Sequence, residues 1–509
     1  MDNVTKDDKK PPSYSEPDIE EAEDVGTDCS NTHEQPPDLI RHLTLEQRLA
    51  LEKQLVRKID LRLMPMVIIM YIMNYLDRNN IASARLQGLQ EELNLSDQEY
   101  QLCVSILFVG YLLFQVPSNL ILNKIGKPAI YLPLAMILWG IISTATAAAQ
   151  SFGGLVAIRF MLGFVEAAYF PGCLYFLSSW YTRKELSLRT ALLYSGSLMS
   201  GAFSGLIAAG ILNGLENARG ISAWRWLFIL EGVITVVLAI VALFVLPNLP
   251  RTTSWLTEEE KQLAWWRLDE DIGQDDWIGS EQQTMWHGFK IALTDIKTWI
   301  MTLMFLGFVS SASVTNFFPT VVQTLPGSGP GGHLTSIQAL LLTCPPYIFG
   351  VIICLANAWH ADRTGERYWH ITAPLYIAMI AFILAATRQD FAPRYIAIML
   401  MIPGIYGGYV VALGWISNCI PRPPAKRAAA LAFINAVSNS SSIYASFMYI
   451  GGPAFIVPFS VNCVTAFIAL VSATILRFRL IRLNKKLDRG EQVDGMTGEM
   501  GIKGFRFLY

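Results

Sequence analysis

The sequence predicts an all-α polytopic membrane protein in which twelve transmembrane helices form two six-helix bundles. Three observations support this fold class: an apolar composition, twelve long apolar stretches, and one polar segment that divides them into six plus six. The chain is 52% hydrophobic and only 16% charged, whereas soluble proteins average about 25% charged residues. Its net charge of −2 gives no basic excess, so no nucleic-acid partner is predicted.

The apolar stretches are the main evidence for the helices, because a membrane span needs about 20 apolar residues. A lipid bilayer is therefore the predicted surrounding of most of the chain. The twelve predicted spans lie at about residues 62–82, 100–122, 129–149, 152–178, 189–213, 224–246, 297–323, 337–358, 370–387, 394–417, 427–449 and 454–477.

Domain boundaries follow from where these spans begin and end. Between spans 6 and 7, Thr257 followed by Glu260 forms a capping-box pattern, which predicts a surface helix in a cytosolic linker. The predicted units are a disordered cytosolic tail (1–58), an N-terminal six-helix bundle (59–246), the linker (247–296), a C-terminal six-helix bundle (297–477) and a second cytosolic tail (478–509).

Basic residues predict the orientation, because Lys and Arg are retained on the cytosolic side of membrane proteins. Most of the basic loop residues follow spans 2, 4, 8 and 10, and others precede span 1 or follow span 12. These segments are predicted to be cytosolic, with both termini, in a multi-pass protein of the cell membrane. An internal membrane stays open as an alternative.

One loop pattern occurs twice, once after span 2 at 119–127 and once after span 8 at 358–367. It resembles the G-x-L-x-D-R-x-G-R-K loop of the major facilitator superfamily, although Asn123 replaces the acid in the first copy. The resemblance implies a two-half carrier in which these loops clamp neighbouring helices during alternating access. The alternative is a polar turn whose basic residues only follow the orientation rule. The predicted gating-loop residues are Lys124, Gly126, Asp362, Arg363 and Gly365.

Several further segments resemble the fungal anion:cation symporter family of allantoate permease-like carriers. This resemblance implies a secondary active transporter that takes up a small organic anion of the carboxylate, vitamin or ureide type, usually with a proton. The loop at 421–424 departs from the family pattern. The segments that carry the resemblance are 74–81, 159–167, 224–232, 255–260, 317–319 and 426–427, together with Asn435.

Ionisable residues inside spans are the site candidates, because each costs about 2.5–3.5 kcal/mol at a helix centre. Asp77 and Arg159 are predicted to share a depth, and Glu166 lies on the same helical face as Arg159. A guanidinium can bind both oxygens of a carboxylate, and a desolvated carboxylic acid can carry a proton. Arg159 is therefore the predicted anion site, and Glu166 and Asp77 are predicted to couple protons. The alternative is that Asp77 and Arg159 form a structural pair.

Neutral polar residues complete the predicted substrate site: Asn74, Tyr406, Asn435 and Asn439. Interhelical hydrogen bonds are the alternative role for such side chains in membrane helices. Gly201 and Gly205 form a G-x-x-x-G pattern, which predicts close helix packing.

Two alternative functions stay open: export of a small acidic metabolite, and nutrient sensing without transport. An enzyme is not predicted, because the six histidines are scattered without metal-ligand spacing, and neither a metal nor a cofactor is expected.

Two short motifs predict events outside the membrane. Pro11, Pro12 and Tyr14 form a P-P-x-Y sequence, which resembles a ligand of WW domains and predicts a WW-domain ubiquitin ligase as partner. Asn94 begins an N-x-S glycosylation pattern in the first outer loop.

Overall fold

The computed structural model describes residues 37–272, 285–420, 424–450, 454–491, 493 and 506–509. Every regular element in these ranges is helical, apart from the isolated bridge between Pro326 and His333 and a bridge residue at Val493. The first half contains α1 (Asp38–Arg41), α2 (Leu45–Arg85), α3 (Leu89–Glu92), α4 (Asp97–Ile125), α5 (Pro128–Ala145), α6 (Phe152–Glu166), α7 (Tyr169–Ser178), α8 (Arg183–Leu215), α9 (Ala223–Val245) and α10 (Glu258–Ile272).

The second half contains α11 (Met285–Thr294), α12 (Ile296–Ala312), α13 (Phe318–Gln323), α14 (Ser336–Thr364), α15 (Tyr368–Thr387), α16 (Phe391–Cys419), α17 (Pro424–Ala445) and α18 (Ile456–Asp488). Short 3-10 turns lie at Thr146–Ala148, Ala218–Gly220, Pro250–Thr252, Ser313–Phe317, Pro330–Gly332 and Ser446–Tyr449.

Within the described ranges, ten helical stretches are long and apolar enough to cross a membrane. The two remaining predicted spans are also helices, α4 and α17. Both carry polar residues: α4 has buried Gln101 and Gln115, and α17 is rich in Ala, Ser and Asn. These two polar helices contact each other where the halves meet.

Both predicted tails are partly helical, which corrects the boundaries at 58 and 477. Helix α2 begins at Leu45, where Thr44 and Gln47 form a capping box, and its buried Leu55 and Ile59 join the apolar core of the first half. A local cap and an apolar face are enough to continue the first span outward as one helix. At the other end, α18 continues to Asp488.

The helix predicted after Thr257 is present as α10, and its capping box forms between Thr257 and Glu260. It lies against the first half: Lys58 Nζ is 2.8 Å from a Glu260 oxygen, and Arg267 contacts Glu185 at 2.9 Å. Partial burial opposes ionisation of Glu260, but the bonds from Lys58 and the Thr257 backbone hold its pKa below the ordinary value. We call the end of the molecule that carries α10 the linker end, and the opposite end the distal end.

At the distal end, Glu92 binds the start of the segment 224–232, which is one of the segments that carry the family resemblance. Its carboxylate accepts hydrogen bonds from Ser222 Oγ (2.6 Å), Trp224 Nε1 (2.6 Å) and Arg225 Nε (2.9 Å). Partial burial acts against these bonds, but together they lower the pKa of Glu92. The segment therefore fixes the loop after α2 to the start of α9.

The two halves contact each other mainly through α8 with α14 and α4 with α17, with smaller contacts of α2 with α13 and α8 with α16. On α8, Gly201 lies against the ring of Tyr347, and Gly205 lies against Thr343 and the carbonyl of Leu340. The predicted packing face is therefore present, and it joins the two halves. Helix α8 begins beside α10, so Gly205 lies about 30 Å along the helix from the linker end, at 1.5 Å per residue.

Gly205 provides a direct test of this contact. A Cβ there would overlap Thr343 Oγ1 and Leu340 O, so we expect Gly205→Val to separate the halves at the distal end. The measurement is maleimide labelling of a cysteine introduced at Asn79, which lies beside this contact. Gly210→Val is the matched control, because a Cβ at Gly210 meets no atom within 4 Å. Equal labelling in both variants would contradict the prediction.

Candidate functional site

A buried ion pair joins α2 to α6. Arg78 Nε lies 3.0 Å from Glu166 Oε2, with side-chain exposures of 11% and 0%. The Arg78 guanidinium also lies over the rings of Tyr75 and Tyr111, 5.1 and 4.8 Å from their centroids. One carboxylate and two aromatic faces therefore stabilise a cation that the bilayer would otherwise disfavour.

Arg159, the predicted anion site, is 1% exposed and is held by backbone carbonyls. Its Nε donates to Cys103 O (3.4 Å), and one terminal nitrogen donates to Arg78 O (3.1 Å). The other terminal nitrogen has no hydrogen-bond partner among the described residues. Because an unsatisfied buried donor is costly, this nitrogen is available for a ligand.

The two arginines share a small cavity at the junction of the halves. Val104 and Phe108 of α4 form part of its wall, and Asn316 reaches it from the second half. The cavity therefore combines two cationic side chains with two amides, Asn79 and Asn316, and an apolar wall. Guanidinium groups in such a set are suited to an anionic group such as a carboxylate.

Neither Asp77 nor Glu166, the two acids predicted to lie near Arg159, forms a hydrogen bond with it among the described contacts. Asp77 is fully buried but faces α5 and α9, where its oxygens accept from Ser143 Oγ (2.7 Å) and Thr235 Oγ1 (2.8 Å). Glu166 binds Arg78 instead. Neighbouring helical residues point about 100° apart, so Asp77 and Arg78 contact different helices. Equal depth did not make Asp77 and Arg159 a pair.

Glu231 is a buried acid that sequence reasoning did not select. It lies on α9, is 1% exposed, and accepts a hydrogen bond of 2.5 Å from Asn80 Nδ2. Its second oxygen has no hydrogen-bond partner among the described residues. The available signal was a carboxylate inside the apolar stretch 224–246, the same rule that selected Glu166.

The neutral candidates are distributed over both halves. Tyr406 lies 6.3 Å from Tyr194, ring centroid to ring centroid, so it contacts the first half. Asn439 Nδ2 donates to the carbonyl (2.9 Å) and side-chain oxygen (2.5 Å) of Asn435, within one turn of α17. Asn74 is 2% exposed, and its Nδ2 has no partner in the part of the chain described.

The two gating loops have matching geometry at the ends of α4 and α14. Gly126 (φ 63°) and Gly365 (φ 69°) are left-handed caps whose N–H groups donate to the helix, and such a φ favours glycine. In the second loop Asp362 forms an ion pair of 2.7 Å with Arg367, and Arg363 lies over the Trp359 ring. The side chain of Lys124 lies outside the described atoms.

The other sequence motifs lie outside this site. Asn94 is exposed in the distal turn before α4, with φ 51°, and the Ser96 hydroxyl is bonded to Glu99. Pro11, Pro12 and Tyr14 lie outside the described residues.

Comparison with known proteins agrees with this architecture. The family model for the Major Facilitator Superfamily matches residues 67–446, and the chain belongs to that superfamily. It is therefore a secondary transporter and not an enzyme.

Individual relatives support the same class. The MFS-type transporter cnsO of Penicillium expansum is 34% identical over 90% of this chain and 91% of its own. The MFS-type transporter efuF of Hormonema carpetanum is 34% identical over 77% of this chain and 78% of its own. Among solved structures, an inward-facing bacterial homologue of the lysosomal transporter Spinster has a TM-score of 0.60 at 15% identity, covering 82% of this chain and 95% of that one. The xylose transporter XylE from E. coli, partially occluded and inward open, has a TM-score of 0.60 at 14% identity, covering 80% and 96%.

The Arg78–Glu166 pair can be tested by a double-mutant cycle. Glu166→Gln leaves Arg78 without its carboxylate, so we expect unfolding in detergent to become easier by about 3 kcal/mol. Combining it with Arg78→Gln should recover much of that loss, because no uncompensated charge remains. The measurement is the free energy of unfolding of the two single variants and the double variant. Additive losses would show that the two side chains do not interact.

Proposed function

We propose that the chain couples the movement of a small organic anion to a proton by alternating access, in the direction of uptake. The observation that carries this proposal is the buried Arg159 guanidinium, which has one unpartnered terminal nitrogen beside a cavity shared with Arg78. Two guanidinium groups beside one cavity favour an anion. Arg159 in particular can bind a carboxylate oxygen without losing either of its backbone hydrogen bonds.

The ion pair supplies a route from anion binding to proton binding. A substrate carboxylate that reaches Arg78 competes with Glu166 for the same guanidinium. A displaced Glu166 would be a buried carboxylate without its cation, and taking up a proton removes that cost. Anion and proton then bind to the same state of the carrier, which is the requirement for symport.

Asp77 is proposed as a second proton-coupling group. Its two described donors, Ser143 and Thr235, are hydroxyl groups, which can bond to either form of the acid by rotation. Glu231, one turn of α2 away through Asn80, lies in the same region between α2 and α9. The described donors to Asp77 and Glu231 are neutral hydroxyl and amide groups. Either acid can therefore gain or lose a proton without leaving one of these donors as an unpaired cation.

The remaining predicted residues take supporting roles in this proposal. Asn74, Tyr406, Asn435 and Asn439 contact the neutral part of the substrate, and the loops with Lys124, Gly126, Asp362, Arg363 and Gly365 alternately close the linker end. The proposed setting is the plasma membrane, with both termini in the cytosol. There Pro11, Pro12 and Tyr14 would recruit a WW-domain ubiquitin ligase, and Asn94 would face outward.

The test is transport by purified protein in vesicles, using a panel of labelled carboxylates and an imposed pH gradient. Arg159→Lys keeps the charge but loses the planar group, so we expect apparent affinity for the transported anion to fall by about 1.5–3 kcal/mol, or about 10- to 150-fold. Placing the labelled carboxylate inside the vesicles instead of in the external solution determines the direction of transport.

Arg394→Lys is the matched control, because Arg394 is also 1% exposed but bonds Gln389 and Ala454 O in the second half. Unchanged affinity in Arg159→Lys, with both variants folded, would contradict the proposed role of Arg159. Transport of neutral sugars in preference to every carboxylate would contradict the proposed substrate class.

A further inference from the structure

The segment Arg506–Tyr509 is seated on the linker end of the second half. The Phe507 side chain is 2% exposed and belongs to the apolar core of that half, whereas Tyr509 is 43% exposed. Arg506 binds Asp488 of α18 through two nitrogens, at 2.8 and 2.7 Å. One aromatic side chain and one flanking cation therefore attach this segment to the helices.

The backbone of the segment is recognised as well. The Asn484 carboxamide accepts from Phe507 N (2.9 Å) and donates to Phe507 O (2.9 Å). Trp415 Nε1 on α16 donates to Leu508 O (2.8 Å). Both the N–H and the C=O of Phe507 are thus satisfied by one side chain, a pattern that binds an extended peptide backbone whatever its sequence. Asn484 is itself only 8% exposed.

The site formed by Asn484, Trp415 and Lys297, which we call the seat, is linked to α17. Helix α17 is one of those that contact the other half. Lys297 Nζ lies 5.0 Å from the centre of the Phe507 ring and 3.7 Å from Asp295 Oδ2. The same Asp295 oxygen is 2.7 Å from Nζ of Lys426, which lies near the start of α17. At its distal end, α17 contacts α4, where Ser105 Oγ donates to Ile443 O.

We propose that this seat is a peptide-binding site whose ligand is the chain's own segment Arg506–Tyr509, and that the docked segment acts as a releasable clamp on α12, α16, α17 and α18. Docking fixes Lys297 beneath the Phe507 ring, Lys297 helps to hold Asp295, and Asp295 holds α17. Release of the segment loosens the linker end of α17, and α17 is one of the helices that contact the other half.

The first test is hydrogen exchange in the full chain. Asn484→Ala removes both bonds to Phe507, so its amide should exchange about tenfold faster or more, and the amides of residues 428–434 in α17 should also exchange faster. Lys485→Ala is the matched control, because Lys485 is the exposed neighbour on the same helix. A fast Phe507 amide in the unmodified chain, or unchanged exchange in α17 after the segment is released, would overturn the clamp.

The second test asks whether the seat binds a peptide supplied in solution. A fluorescent peptide with the sequence of residues 501–509 should bind the full-length Phe507→Ala protein, whose own segment competes poorly, at least tenfold more tightly than the unmodified protein. It should fail to bind the Phe507→Ala, Asn484→Ala double variant. Equal binding to all three proteins, or binding to none, would overturn the assigned site.

Discussion

The cost of burying charge in a membrane is the constraint on which the rest of this structure depends. Arg78, Glu166 and Arg159 lie where each would be disfavoured alone, and their charges are compensated in two ways. Arg78 and Glu166 neutralise each other, and Arg159 is held by backbone carbonyls. In the proposed function, the incomplete compensation of Arg159 leaves one nitrogen for an anion to contact, whereas a complete set of partners would leave none.

The fold positions these charges by repeating one helical design in both halves. Helices α4 and α14 each begin with a capping box, Ser96 with Glu99 and Thr335 with Gln338, and each ends with a left-handed glycine. In the first half α4 lies against α6, where Gly163 allows the Leu107 backbone to approach closely. That close approach brings the Cys103 carbonyl to Arg159. Small residues at a helix contact therefore determine the geometry of the charged site.

Much of this architecture was predictable from the sequence because its signals are local. Long apolar stretches, a capping box before Glu260, and charges inside apolar spans predict helices, a linker and the residues Arg159 and Glu166. The cap at Thr44 was equally visible, and it accounts for the helix that extends into the predicted tail.

The partners of the charged groups were not predictable in the same way. Whether Asp77 or Arg78 faces Glu166 depends on the rotation of α2 about its axis, which depth along the helix does not specify. The contact between Asn484 and Phe507 joins segments with no shared sequence pattern, so only the folded chain shows it. Glu231 carried the same sequence signal as Glu166, a carboxylate inside an apolar span, so its burial was predictable although it was not predicted.

In the proposed function, an anion and a proton bind together through one buried ion pair, because the anion takes Arg78 and the released Glu166 takes the proton. The most direct measurement is proton uptake, followed with a pH-sensitive dye, when a transported carboxylate is added to vesicles that contain the protein without any imposed gradient. The unmodified protein should move protons with the substrate, and Glu166→Gln should exchange labelled substrate without moving protons. Substrate-driven proton movement that persists in Glu166→Gln would contradict the account.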